Sequence, residues 1–316
     1  LEMIINRQSA PPDRRSDAAM PIYPDWWYSK YNIFEMTAYD IAEWLKKTDI
    51  CLIPVGSCEQ HGPHLPINCD SLQAWIVTKW AAEKAQVLHT PVVWTGYSPH
   101  HIRPPGSGAG TITLRARTFE ALMYDISRSL IHHGFNKLIY VIGHTSNIKI
   151  IDPVLRIIKY KTGAFAAMFR ADAEILPLVP EIMGPIIKNP KEDNPGWHGG
   201  EGEISMCLLY HPEAVHLERV KWDRSQIHAP KYLPQDKFTK HDGSPYVVFK
   251  GQDQMIYLPM EHHEYCDTGV IGKPTGGDPE KAKKAWGILA DKLADFIEEV
   301  KKLRVEVKNR EFDDRI

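Results

Sequence analysis

Two short apolar runs, CLIPV (51–55) and KLIYVI (137–142), each break off at a glycine and pass at once into polar, histidine-bearing text. Runs of five or six apolar residues bounded by turn signals read as strands buried on both faces. VLHTPVV (87–93) and GAFAAMF (163–169) are further strands of the same kind. Helical text lies between them: Ser71 to Ala85, a segment capped by Thr118 that runs through His132 to Gly134, and one capped by Asn147. Pro153 bends that last helix or fixes its first turns. Short apolar strands alternating with amphipathic helices build βαβ units, so an α/β fold with a mostly parallel sheet is expected. Ligands of such sheets bind outside the carboxyl ends of the strands. Position relative to a strand end is therefore the test for every polar cluster.

The rest of the 316 residues narrows the field. Lys+Arg 38 against Asp+Glu 40 gives a formal net charge of -2, which is no footprint for nucleic acid. No apolar run approaches the ~20 residues of a membrane helix. Five cysteines (Cys51, Cys58, Cys69, Cys207, Cys266), without a C-x-x-C pair, indicate no disulfide framework and suit a reducing cytoplasm. Residues 1–36 read as an N-terminal arm in which Trp26 and Trp27 are packing residues. A single domain follows over 37–303, opening on a helix capped by Thr37, with insertions near 177–197 and 221–260. The second insertion reads as irregular excursions or a small flap. The domain closes on a long helix led by Pro279, and 304–316 form a C-terminal tail.

Three clusters carry chemistry. GSCEQHGPHLPINCD (56–70) follows a strand and supplies Glu59, His61, His64 and Asp70 on a loop shaped by Gly and Pro. GHTSN (143–147) presents His144 at the same sheet edge. WHGGEGEIS (197–205) adds His198, Glu201 and Glu203; an extended chain would aim only one of the two glutamates inward, whereas a tight turn would gather both. Imidazoles and carboxylates without thiolates suit Zn²⁺, Mn²⁺ or Fe²⁺. Two ions need about six protein ligands with a shared carboxylate. Glu59, His61, Asp70, His144 and one later glutamate come close, with Asp70 the natural bridge. A hydroxide held between two divalent ions attacks a carbonyl without any Ser or Cys nucleophile. No G-x-S-x-G elbow, phosphate loop with its lysine, or H-E-x-x-H occurs; GSGAG (106–110) reads as a loop at the substrate's edge.

PVGSCEQHGPHLPINCD (54–70), IGHTSN (142–147), HGGEGEIS (198–205) and TGVIGKPTGGDPEKA (268–282) together resemble the creatininase family of metal-dependent amidohydrolases. The resemblance implies a three-layer α/β/α sandwich, assembled as homo-oligomers, often hexamers. It also implies two divalent ions per subunit, one on Glu59, Asp70 and His144, the other on His61, Asp70 and a glutamate. His198 matches the histidine that protonates the leaving group. Creatininase places a metal-binding carboxylate where this chain has Ser146, so Glu203, rather than Glu201, is expected as the last ligand and, with His198, as a catalytic residue. HHIRPPGSGAG (100–110) implies a more polar substrate than creatinine. The substrate-facing set expected is His101, Arg103, Ser146, Trp197, Glu201 and His263, with the arm and both insertions closing over the site. The first reading is C–N hydrolysis of a small cyclic amide or formamide. The alternatives are C–C hydrolysis of a cyclic diketone such as an oxidised inositol, with His198 or His263 giving the proton, or a non-catalytic metal-binding or assembly protein.

Overall fold

The computed structural model describes residues 27–104 and 109–316. Four parallel strands, β1 (Ile50–Val55), β2 (Leu88–His89), β3 (Lys137–Ile142) and β4 (Phe165–Arg170), lie in the order β2-β1-β3-β4. β1 and β3 pair in the middle of the sheet, from Ile50 opposite Lys137 to Val55 opposite Ile142, and every residue of both is buried. That burial on two faces is why both read as unbroken apolar runs.

Seven α-helices are described: α1 (Ala38–Leu45), α2 (Cys69–Ala85), α3 (Ala116–His133), α4 (Ile148–Thr162), α5 (Glu201–Tyr210), α6 (His262–Tyr265) and α7 (Pro279–Lys301). The chain steps from β1 to β2 in one direction and from β2 over β1 to β3 in the other. Right-handed crossovers then put α2 on one face and α3 with α4 on the opposite face. α7 packs on α2 and α5, completing a three-layer α/β/α sandwich. Its buried stripe of Ala282, Trp286, Leu289, Leu293 and Ile297 has helical spacing, and Asp278 caps the Pro279 end.

Two expected caps are replaced. α3 starts at Ala116, so Thr118 lies within its first turn, and Arg115 in the cap position makes no side-chain cap bond. Asn147 precedes α4 without capping it, because its amide is used to join two loops. Thr37 and Asp40 do form a capping box on α1. Pro153 is accommodated inside α4.

The segment 221–260 holds a second, antiparallel sheet of β5 (Phe238–Thr239), β6 (Tyr246–Phe249) and β7 (Gln252–Tyr257). Its own small core includes Ile227, Val247, Met260 and Ile271. The arm expected over 1–36 lies outside the described residues up to residue 26, as does 106–108 of the GSGAG segment. Trp27 stacks on Trp75 with ring centroids 4.8 Å apart. Among the described residues no helix is long and apolar enough to cross a membrane.

Candidate metal centre

The chain leaves β1 toward one edge of the sheet and β3 toward the other, so a crevice opens between their carboxyl ends. Gly143 ends β3 there. A Cβ on it would lie 2.1 Å from the Asp70 carbonyl oxygen, so glycine lets the first turn of α2 rest on the strand end. Asn147 stitches the crevice, accepting from the Tyr97 N–H and donating to the Gly56 carbonyl, both at 2.9 Å.

Among the described residues ligand-type atoms converge in four groups; two share His198 (Glu59, His61 and His198; His101, His198 and His262), and the other two lie around Asp70. Glu59, Asp70 and His144 offer atoms within 4.8 Å of one another, and so do His61, Cys69 and Glu203. Asp70 faces both groups, with Oδ1 3.5 Å from His61 Nε2 and Oδ2 3.5 Å from His144 Nδ1. Glu203 Oε1 lies 3.4 Å from His61 Nε2, and Glu59 Oε2 lies 3.3 Å from His144 Nδ1. The outer sides of His61, His144, Glu59 and Glu203 are already held. His61 Nδ1 donates to the Glu59 carbonyl at 3.1 Å and His144 Nε2 to the Tyr97 carbonyl at 3.3 Å. Ser57 donates to Glu59 at 2.8 Å, while the Gly199 N–H (2.5 Å) and Gln73 amide (3.3 Å) donate to Glu203. Such outer bonds leave His61 Nε2 and His144 Nδ1 as the atoms turned toward the carboxylates. Cys69 differs, since its sulfur is engaged by Cys207 at 3.6 Å and by the Gln73 amide at 3.6 Å.

The electrostatics call for a cation. All three carboxylates are buried. Burial, then the charge of Asp70, raises Glu59 well above the ordinary carboxylate range, and burial chiefly lifts Asp70 to about 6. Burial works to lower His61, yet Glu203 and Asp70 raise it, which marks its Nε2 as a place where positive charge is wanted. His144 is driven well down by burial, toward the neutral, ligating form. His61 Nε2 and Asp70 Oδ2 are buried without hydrogen-bond partners among the described residues. Donors about 2.1 Å from a tetrahedral ion stand about 3.4 Å apart along each edge. The four separations of 3.3–3.5 Å match that edge, so these residues fit one or two divalent ions.

The expected substrate-facing residues divide. His101, Ser146 and Trp197 line a cavity of about 270 Å³ above the carboxylates, with His198 beside them. Arg103 instead donates to the Asp267 carbonyl at 3.0 Å and borders a separate hollow with Gln60 and Thr111. Glu201 and Glu203 occupy the first turn of α5, not a tight turn, and two residues along a helix turn side chains about 200° apart. Glu203 thus faces His61 while Glu201 Oε1 is paired with Lys281 Nζ at 2.5 Å. His263 is not among the cavity's lining residues, whereas its neighbour His262 is. His64 is turned to the Gly199 carbonyl at 2.9 Å.

Other lining residues were not anticipated: Lys149, Glu174, Ser244, Tyr246 and Tyr257. Lys149 stands two residues after the GHTSN segment, in the first turn of α4, which is a signal that could have been read. Ser244, Tyr246 and Tyr257 come from the small antiparallel sheet and its turns, where no motif marks them.

The family model described as creatininase, creatinine amidohydrolase, matches residues 34–297. A creatinine amidohydrolase of Pseudomonas putida is 31% identical over 265 residues, covering 79% of this chain and 89% of its own. A 3-dehydro-scyllo-inosose hydrolase of Thermotoga maritima is 28% identical over 272 residues, covering 84% of this chain and 82% of its own. A crystal structure of creatinine amidohydrolase superposes with a TM-score of 0.65 at 23% identity, over 87% of this chain and 99% of the other.

Proposed function

The chain belongs to the creatininase family of metal-dependent hydrolases, and on that footing we propose that it holds two divalent ions per subunit and opens a small polyhydroxylated ring at a carbonyl carbon, cutting a C–C bond. The observation that carries the substrate class is the cavity wall. Ser146, Lys149, Ser244, Tyr246 and Tyr257 put hydroxyls and an ammonium around the space above the carboxylates. These groups also have partners in the protein, Ser146 with His100, Ser244 with Asp242 and Lys149 with Tyr257, and a ring bearing hydroxyls offers them further hydrogen bonds that a ring without hydroxyls does not. The resemblance to the Thermotoga maritima inosose hydrolase over most of the chain supports the same class. On this support we rank C–C cleavage before C–N hydrolysis, the reverse of the order drawn from the sequence. C–N hydrolysis of a flat cyclic amide is the second reading, favoured by the Trp197 indole in the same wall and by the resemblance to the Pseudomonas putida enzyme.

In this reading Glu59, Asp70 and His144 would hold one ion and His61, Asp70 and Glu203 the other, with Asp70 common to both. The two oxygens of Asp70, each 3.5 Å from a different imidazole, support that sharing. Bound there, divalent ions supply Lewis acidity and lower the pKa of water. Lys149 and the tyrosines orient the ring, and Trp197 and Ile271 exclude bulk water from one side. Water gives a proton to His198 as it adds to one ring ketone, and the bond to the carbon between the two ketones breaks. Its electron pair passes into the neighbouring ketone, and His198 returns a proton to that carbon. One water is consumed and a linear keto acid leaves.

Protein loaded with Zn²⁺ or Mn²⁺ is assayed on oxidised inositols, cyclic amides and formamides, with mass spectrometry of the products. A nitrogen-free linear acid heavier than its substrate by one water is expected. Release of an amine or formate moves the assignment to C–N chemistry. Less than one bound ion per chain, with no turnover, would favour the non-catalytic reading. Assembly as a homo-oligomer, which the family resemblance implies, is checked by sedimentation velocity.

A further inference from the structure

Behind the metal ligands stands a second group of imidazoles, His101, His198 and His262, all buried. Their ligand-type atoms lie within 4.8 Å of one another, a spacing that a third cation could use. The focus of the group is occupied by the side-chain amide of Gln60. Gln60 Nε2 lies 3.0 Å from His262 Nδ1, 3.3 Å from His101 Nδ1 and 3.4 Å from His198 Nε2. We infer that Gln60 is a positioning residue that sets the proton on each of these three imidazoles and so leaves His198 Nδ1 as the atom that moves the proton.

The orientation of the amide follows from a backbone group. The Gly62 N–H reaches Gln60 Oε1 at 2.9 Å, and an N–H needs an acceptor, so the other amide atom is the nitrogen. That nitrogen has two hydrogens and no lone pair to offer. The Nδ1 atoms of His262 and His101 that face it must therefore be acceptors, which places their protons on Nε2. For His101 this agrees with an independent contact, because a proton on its Nε2 faces Glu59 Oε1 at 3.2 Å. His101 is thereby held as a support of Glu59 and kept from being a ligand itself.

His198 is set by the main chain of the same residue. Its Nε2 lies 2.6 Å from the Gln60 carbonyl oxygen, so Nε2 carries a proton, and the longer 3.4 Å approach to the amide is a donor facing a donor. The lone pair then sits on Nδ1, turned toward the site and 3.9 Å from Glu59 Oε1. The ring cannot readily turn over. It is stacked between His61, at 4.1 Å and 19°, and His101, at 4.6 Å and 24°. One glutamine thus spends its amide nitrogen on two imidazoles, its carbonyl on a third and its Oε1 on Gly62.

The fourth sequence match, TGVIG, acquires a role in this arrangement. Gly269 has φ +78, and a Cβ there would lie 2.3 Å from Gln60 Oε1. Only glycine leaves the amide its place.

The hydrogen positions rest on geometry alone; the consequence for turnover rests on the proposed role of His198. The first test is neutron crystallography of the deuterium-exchanged, Zn²⁺-loaded protein. Deuterium on Nε2 of His101, His198 and His262 is expected. Deuterium on Nδ1 of His101 or His262, or a bare Nε2 on His198, overturns the inference even if no substrate is turned over. The second is Gln60→Met, which keeps the main-chain carbonyl on His198 Nε2 but removes the amide from His262 and from His101, the ring stacked on His198, with both ions counted by elemental analysis. A fall in kcat of about 10–100-fold is expected, with KM within about twofold and both ions kept. Unchanged kcat, or metal loss that accounts for the fall, overturns the positioning role. Gly269→Ala is expected to reproduce the kcat loss of Gln60→Met, and wild-type kcat in that variant counts against the link to Gln60.

Discussion

The floor and the roof of the cavity are built by different means. The floor consists of Asp70 and Glu203 in the first turns of α2 and α5, His144 two residues past β3, and Glu59 and His61 on the loop that joins β1 to α2, and all five are buried. Each has an outer hydrogen bond or a packed neighbour that fixes its direction. The roof is drawn from α4 and from the small antiparallel sheet, whose β7 is largely exposed and whose pairing is irregular between Val247 and Phe249. Ligands need positions fixed to within about half an ångström, and elements of a buried sheet supply them. Substrate selection tolerates a lighter, separately cored sheet, which can change without disturbing the metal ligands.

If the floor is one cooperative unit, Asp70→Asn should do the most damage. Asp70 faces both groups and in the proposed arrangement would hold both ions, so the variant is expected to lose both and turnover by on the order of 10⁴-fold or more. Retention of two ions by elemental analysis would break the shared-ligand picture. Glu203→Gln is a finer cut through the same unit, expected to leave about one ion per chain. Glu201→Gln, on the opposite side of α5, should keep two ions and lose the Lys281 pair, at about 2 kcal/mol of stability in denaturant unfolding. Equal metal content in the two glutamate variants would sink that assignment.

His198 lies at the boundary of floor and roof. His198→Ala is expected to keep both ions and lower kcat by ~10²–10⁴-fold, read by single-turnover kinetics. Loss of an ion would make it part of the floor, whereas wild-type kcat would remove it from the reaction.

The same division separates what the sequence disclosed from what it concealed. The parallel strands were legible because burial on both faces leaves no polar residue to interrupt CLIPV or KLIYVI. The convergence of Glu59, His61, Asp70 and His144 was legible because topology delivers both βα turns to one crevice, whatever the rest of the chain does. Caps were less so: Asn147 has a capping residue's identity, but its amide has two closer partners in Tyr97 and Gly56. Arg103 and His263 looked suited to the substrate by residue type alone, and type does not give direction. A loop's course decides that, and it sends Arg103 to the Asp267 carbonyl. β5–β7 went unread because their strands are short, mixed in polarity and joined by polar turns. Gln60 was passed over because it ligates nothing; its importance lies in three imidazoles brought together from distant parts of the chain.

The smallest of these effects bears on the roof. Lys149 is in the cavity wall with its ammonium 3.5 Å from the Tyr257 hydroxyl and 5.3 Å from that ring's centroid. The contact with Tyr257 joins α4, which grows from the floor, to β7 of the roof. Lys149→Met keeps the length of the stem and removes the charge. One charge-assisted hydrogen bond to a substrate hydroxyl is worth about 1.5 kcal/mol, so KM should rise about tenfold while kcat and metal content hold. Tyr257→Phe removes the partner hydroxyl and should raise KM by less. Should Lys149→Met lower kcat and leave KM alone, the lysine would act on the reacting atoms. The floor would then extend into α4, and the division between ligand and recognition elements would have to be drawn at β7.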